Sequence, residues 1–185
     1  MAASSQNGSR DKSPAPRDLR EEALADATLP EPVRRALASG MKLERITLDS
    51  EGRWFHEGGP IEHPRIVDLF NRSIERTPGG TFVLHVAPFT YPIEVEDAPL
   101  QVHQIELAGE PPASVKLWLS DGSEETLDPK TLRYVPERGF YCQVKDGLMS
   151  ARFSRPAYYK LAEHVDEVDG SYILRLGGTE THLAQ

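Results

Sequence analysis

Two glutamates in one short stretch carry the most explicit chemistry in this sequence. In Ile93-Glu94-Val95-Glu96-Asp97 apolar and acidic residues alternate. On a strand, Ile93 and Val95 would share one face and Glu94 and Glu96 the other, about 6.6 Å apart along the axis. Carboxylates at that range raise one another's pKa, as acid–base chemistry requires, or share a cation. On a solvated outer face the same pair is ordinary. Asp97 precedes Ala98-Pro99 and reads as a turn aspartate that accepts backbone amides two residues on.

Two basic residues stand at matching places, His63 before Pro64 and Arg155 before Pro156. Proline suits the first turn of a helix. A helix start exposes unpaired amides and a partial positive charge, which attract an anion, whereas basic residues are not preferred caps. The mismatch means either a bound anion at each helix start, or Ser154 as the true cap with Arg155 facing solvent. Arg152, on the preceding strand, is aimed at the same end in the first reading. Trp54, beside Arg53, is either a core residue between two halves or a ring for stacking a ligand. Trp118 falls on the strand face opposite Val115, Leu117 and Leu119. It is therefore an interface ring, for a homodimer or another protein partner, or part of a sheet buried on both sides.

Other chemistries find no pattern. His56, His63, His85, His103, His164 and His182 show no paired metal-ligand spacing. A site joining His85 or His103 to Glu94 and Glu96 is conceivable only across hairpins. One cysteine makes neither an internal disulfide nor a multi-cysteine zinc site. Cys142 shares a face with Phe140 and Val144 and reads as a small core residue. No Gly-x-Ser-x-Gly elbow and no glycine-rich phosphate cradle occurs. No metal and no cofactor is expected.

The elements that must position these residues follow from periodicity. The first unit runs from strand Gly52–His56 through a Gly58-Gly59 turn to a helix opened by Pro64. That helix carries the stripe Ile66, Leu69, Phe70 and Ile74 to about Arg76, and strands follow at 81–86 and 91–96. The second runs from strand Gly139–Val144 through Asp146-Gly147 to strand 148–153. A helix opened by Pro156 then carries Tyr158, Leu161, Ala162 and Val165, and strands follow at 171–176 and 179–183. Pro64 and Pro156 are 92 residues apart, and Gly80 and Gly170 are 90 apart. Such similar offsets point to a duplicated β-β-α-β-β unit. More strands join the units, with Val115, Leu117 and Leu119 alternating cleanly. The expected class is α+β, dominated by antiparallel sheet, with about ten strands and two main helices.

Charge and aromatics divide the chain. Of 185 residues, 21 are Lys or Arg and 29 are Asp or Glu, a net charge of −8. Residues 1–40 hold six basic and six acidic side chains and no aromatic ring, so the whole excess lies in residues 41–185. The chain thus reads as a leader over 1–40, a first half over 41–108 and a second over 109–185. Residues 1–16 are expected to be disordered, and two short helices are expected at 17–27 and 31–39. The acidity argues against nucleic-acid partners. No apolar run approaches a membrane span and no signal peptide is apparent, so a soluble, cytoplasmic protein is expected.

Several motifs carry a resemblance. Gly52-Arg53-Trp54, Ile61-Glu62-His63-Pro64-Arg65 and Ile93-Glu94-Val95-Glu96-Asp97-Ala98-Pro99 look like the signature of the bacterial domain-of-unknown-function 1285 family. Val144-Lys145-Asp146-Gly147-Leu148 and Tyr158-Tyr159-Lys160-Leu161 extend it, so that it spans about residues 41 to 183. The chain departs from that family in its leader and in Phe89-Thr90-Tyr91. The resemblance implies two β-rich halves of similar topology and no established activity, with ligand binding and signalling suggested. Together these readings lead to a non-catalytic module that binds a small molecule between its halves through Trp54, His63, Glu94, Glu96, Arg152 and Arg155. The alternatives are an acid–base or metal-assisted enzyme using Glu94 and Glu96, and an adaptor acting through Trp118 and the leader.

Overall fold

A computed structural model describes residues 18–184, so the expectation for residues 1–16 falls outside them. The first elements are α1 (Leu19–Ala25) and α2 (Glu31–Ala38). Asp18 caps α1 by accepting the Arg20 amide. Pro30 and Pro32 bracket the first residue of α2. Two helices this short are not stable alone. Ala23, Leu29 and Leu37 are buried together with Val83 of a following strand, which holds them to the rest of the chain.

Next come β1 (Ile46–Leu48), β2 (Trp54–His56), β3 (Gly59–Pro60), α3 (Pro64–Ser73), β4 (Ile74–Arg76), β5 (Phe82–Val86), β6 (Phe89–Pro92) and β7 (Glu94–Val95). They form two sheets, ordered β3-β2-β1-β7 and β4-β5-β6. β5 shows the two-residue period of a sheet buried on both sides. Val83 faces α1 and α2, while Leu84 faces a second core of Leu48, Trp54, Ile74 and Ile93. Phe70 of α3 closes that core, its ring 5.2 Å from Trp54 and nearly perpendicular to it.

The remaining elements are β8 (Leu100–Ala108), β9 (Ser114–Leu119), β10 (Glu124–Thr126), β11 (Arg133–Val135), β12 (Gly139–Val144), β13 (Met149–Phe153), α4 (Arg155–Ala162), β14 (Val165–Val168), β15 (Ser171–Leu176) and β16 (Thr179–His182). A six-stranded sheet is ordered β10-β9-β8-β13-β12-β11, and a three-stranded sheet is ordered β14-β15-β16. Only β1–β7 and β8–β13 pair in parallel among the described strands. The class is thus α+β and mostly antiparallel, with four helices and sixteen strands among the described residues.

The hairpin–helix–meander order recurs, as β2-β3-α3-β4-β5-β6 and as β12-β13-α4-β14-β15-β16. Their settings differ. The first hairpin adds to β1 and β7, whereas the second adds to β8 and β11. Both helices stop earlier than their apolar stripes predict. Ile74 turns extended at ψ 124° and pairs with Leu84, which buries it in the sheet. Val165 likewise enters β14 opposite Leu174. β-branched residues fit a pleated surface better than a helix end, and the sheet takes them.

The six-stranded sheet has two unlike faces. Leu100, Val102, Ala151, Phe153, Phe140 and Cys142 face the main core, which α4 and Leu174 close. On the reverse face Gln101 lies opposite Arg152, and Arg152 opposite Tyr141. Cross-strand partners share a face, so these three make a polar row. The chain passes into the six-stranded sheet at residues 96–99, so β8 lies with β9–β13 and apart from residues 41–95, hereafter the first half, which pack against that row.

Candidate functional site

The docking contacts are specific. Tyr141 donates its hydroxyl to Asp97 Oδ2 at 2.6 Å. Asp97 is 12 % exposed, with Arg138 and Arg152 each 3.6 Å from its carboxylate. Arg152, 17 % exposed, reaches across to the β1–β2 turn. Its Nη1 donates to the Ser50 carbonyl at 2.6 Å and lies 3.3 Å from Glu51. Its Nε donates to the Arg138 carbonyl at 3.2 Å. Asp97 and Arg152 are largely withdrawn from water and need such partners, which they have, whereas the Arg138 side chain stays mostly exposed. Burial, with the Asp97 carboxylate as acceptor, pushes the Tyr141 hydroxyl up to about 12.

The β1–β2 turn is shaped for this contact. Asp49 accepts the amides of Glu51 and Arg53 and pairs with the Arg53 guanidinium at 2.7 Å. Gly52 then adopts φ +78°, and a Cβ there would lie 2.8 Å from Gln101 Cγ. The glycine of the Gly-Arg-Trp motif is thus required by both its backbone and its close approach to β8.

Beside this junction lies a cleft of about 600 Å³. One wall is Ser50 and Glu51. The floor is Gln101 and His103 of β8 with Arg152 and Phe153 of β13. The far wall is Glu137 and Arg138 of the β11–β12 turn, with Tyr134 behind it. The start of α4 supplies Arg155, Tyr158 and Tyr159. A register shift between Val102 and Gln104 turns His103 out of the ladder, and desolvation holds its imidazole below the ordinary value. Gln101 is 8 % exposed, and its Nε2 has no hydrogen-bond partner among the described residues.

Of the six residues expected to bind a ligand, Trp54, His63, Glu94, Glu96, Arg152 and Arg155, only Arg152 and Arg155 line this cleft. Trp54 is buried in the first half's core, and its indole nitrogen donates to Asn71 at 2.8 Å. His63 is the exposed residue before α3 and makes no side-chain cap. Glu94 and Glu96 do not form a pair over one cavity. Glu94 is held by Arg45 at 2.7 Å and lies 3.3 Å from the Thr47 hydroxyl, while exposed Glu96 accepts the Ser50 amide at 3.3 Å. Trp118 is half-buried, donates to Glu124 at 3.0 Å and carries Lys116 Nζ 4.9 Å from its ring centre. Asp97 does not bond its own turn. It joins the halves, which sequence alone did not signal.

Ser154 precedes α4 but does not cap it. Its hydroxyl donates to the His103 carbonyl at 3.2 Å instead. Among the described residues no group of three His, Cys, Asp or Glu side chains is placed to hold a metal ion. No helix among them is long and apolar enough to cross a membrane.

Residues 33–98 match the sequence model for the domain of unknown function DUF1285, N-terminal domain. The match ends where the chain leaves β7 for the six-stranded sheet. The fold is similar to a DUF1285 family protein from Silicibacter pomeroyi DSS-3, with TM-score 0.62 and 23 % identity, over 77 % of this chain and 80 % of that one. It is also similar to a DUF1285 family protein from Shewanella baltica OS155, with TM-score 0.51 and 20 % identity, over 65 % of this chain and 91 % of that one. No curated protein matches the sequence. Residues 33–98 therefore belong to the DUF1285 N-terminal domain family, and most of the chain shares the fold of DUF1285 family proteins.

Proposed function

We propose that the protein is a non-catalytic regulatory module that binds a small molecule in the cleft between its two halves. The observation that carries this reading is the cleft itself, about 600 Å³, a size that suits a small molecule, with Ser50 and Glu51 on one wall and Arg152, Arg155 and Tyr158 on the other side. The position supports a regulatory role, because both halves contribute walls and a ligand there senses their relative placement. The recurring hairpin–helix–meander order supports reading the cleft as the junction of two duplicated units. A buried, unpaired cysteine fits a cytoplasmic home.

The rival readings have less support. An enzyme built on Glu94 and Glu96 lacks a shared cavity for the two carboxylates. Docking of a second protomer on Trp118 competes with the contacts that ring already makes to Glu124 and Lys116. The test is a thermal-shift screen of metabolites against wild type and Gln101→Leu, since a ligand of the folded state raises its stability. The proposal expects at least one compound that shifts wild type and not the variant. Shifts equal in both proteins contradict it.

A further inference from the structure

We infer that the two halves form a hinged clamp, which pivots between Glu96 and Asp97 and is latched by the Arg152 guanidinium. Strand pairing keeps the halves separate. The sheets β3-β2-β1-β7 and β4-β5-β6 lie wholly before the connection at 96–99, and the sheets β10-β9-β8-β13-β12-β11 and β14-β15-β16 wholly after it. Each half has its own apolar core, and Met149 is the one residue packed against both among the described residues. Methionine is unbranched and adaptable, which suits a contact that is made and broken. α1 and α2 pack on Val83 and so travel with the first half.

The connection divides between two adjacent residues. Glu96 is tied to the first half. Its amide donates to the Leu48 carbonyl at 3.0 Å, and its carboxylate accepts the Ser50 amide at 3.3 Å. Asp97 is tied to the six-stranded sheet, by the Tyr141 hydroxyl at 2.6 Å and by Arg138 and Arg152. Ala98 and Leu100, which follow on that side, are buried. Both sides are thus anchored, and the dihedral angles between them can absorb a rotation, as a hinge requires.

Among the described residues, Arg152 Nη1 makes the polar contacts across this pivot, to the Ser50 carbonyl at 2.6 Å and to Glu51 at 3.3 Å. Glu51 is 63 % exposed, so water competes for half of the latch. Gln101 opposes closure. Gly52 of the first half lies so close that a Cβ there would sit 2.8 Å from Gln101 Cγ, and the Gln101 Nε2 beneath has no partner among the described residues. Closure strands that donor away from water, and opening hydrates it. One guanidinium holds the closed form and one buried amide works against it, the balance of a two-state element. Opening widens the cleft and uncovers Gln101 and Arg152.

The experiment uses the full chain without ligand. Spin labels at Glu62→Cys and Glu163→Cys, exposed sites in the two halves, report the separation by electron double resonance, with Cys142 buried and unlabelled. The latched chain should give one main distance. Arg152→Gln should shift the ratio toward a second distance by at least about tenfold, the effect of losing a charged hydrogen bond. Adding Gln101→Met, which removes the stranded donor, should reduce that second population. In a separate variant, Gln101→Cys, a thiol reagent should reach the introduced thiol faster than Cys142 and with a weaker urea dependence. Parting the halves exposes less surface than unfolding them. A single distance that Arg152→Gln leaves unchanged overturns the clamp. Labelling of both thiols at one rate with one urea dependence also overturns it, because the halves then part only when the chain unfolds. Labelling of the introduced thiol at the rate of a free thiol overturns the latch. None of these outcomes depends on a ligand, so they leave the cleft reading to its own test.

Discussion

The Tyr141 hydroxyl donates to Asp97 across 2.6 Å, and that bond joins the two halves of the molecule. Asp97 belongs to the connection after β7, and Tyr141 to the reverse face of the six-stranded sheet. Tyr141→Phe leaves a mostly buried carboxylate short of one donor, and should cost about 1–2 kcal/mol in urea unfolding. The pH dependence has a definite sign. The hydroxyl titrates near about 12 in the folded chain, against about 10 when unfolded. Between those values the unfolded state has lost a proton that the folded state keeps, so stability falls as pH rises from about 10 to about 12. That fall should be smaller in Tyr141→Phe.

Asp26 fixes the N-terminal helices. It is 5 % exposed and accepts the Thr28 amide and the hydroxyls of Thr28 and Thr77. Burial alone would raise its pKa, but these hydrogen bonds win and hold it well below the ordinary range. Its contribution is present above the unfolded value of about 3.9 and is lost as pH falls below that. Asp26→Ala should cost about 2–3 kcal/mol and open α1 and α2 to limited proteolysis. Gly79→Ala should do the same, because its Cβ would lie 2.0 Å from Asp26 Oδ1.

Gly52→Ala should destabilise by about 1–2 kcal/mol, through its positive φ and its clash with Gln101. Because the clash moves the cleft floor, ligand affinity should fall with stability. Gly58, with φ +82° but open space around it, is the control. Gly58→Ala should lower stability and leave affinity unchanged.

Cys142 is 1 % exposed, and burial, helped by the Glu125 charge, pushes its thiol up to about 12. A thiol reagent at pH 8 should label it only as fast as the chain opens globally. Labelling at the rate of a free thiol would contradict its place in the core.

The parts legible in the sequence were those governed by periodicity. Val115, Leu117 and Leu119 alternate and are buried as expected, and Trp118 takes the opposite face. Pro64 and Pro156 open helices as their fixed φ requires. The missed features depend on which sheet a strand joins. Glu94 and Glu96 alternate correctly but lie beside β1, where Arg45 and the Ser50 amide take them. Trp54 was readable as core, but the Asn71 partner that satisfies its indole is set by tertiary packing. Arg152 and Arg155 reached the cleft because the strand-to-helix connection places them locally. Gln101 carried no sequence signal. It looks like any polar residue on a strand until the first half covers it.

Chemical-shift mapping of the amide spectrum, on adding a compound from the metabolite screen that raises the melting midpoint of the wild type, tests the central claim most directly. The account predicts shifts concentrated at residues 50–52, 101–103, 137–139 and 152–159. Shifts centred on Trp118 or on α3, or a spectrum that does not change, would contradict it.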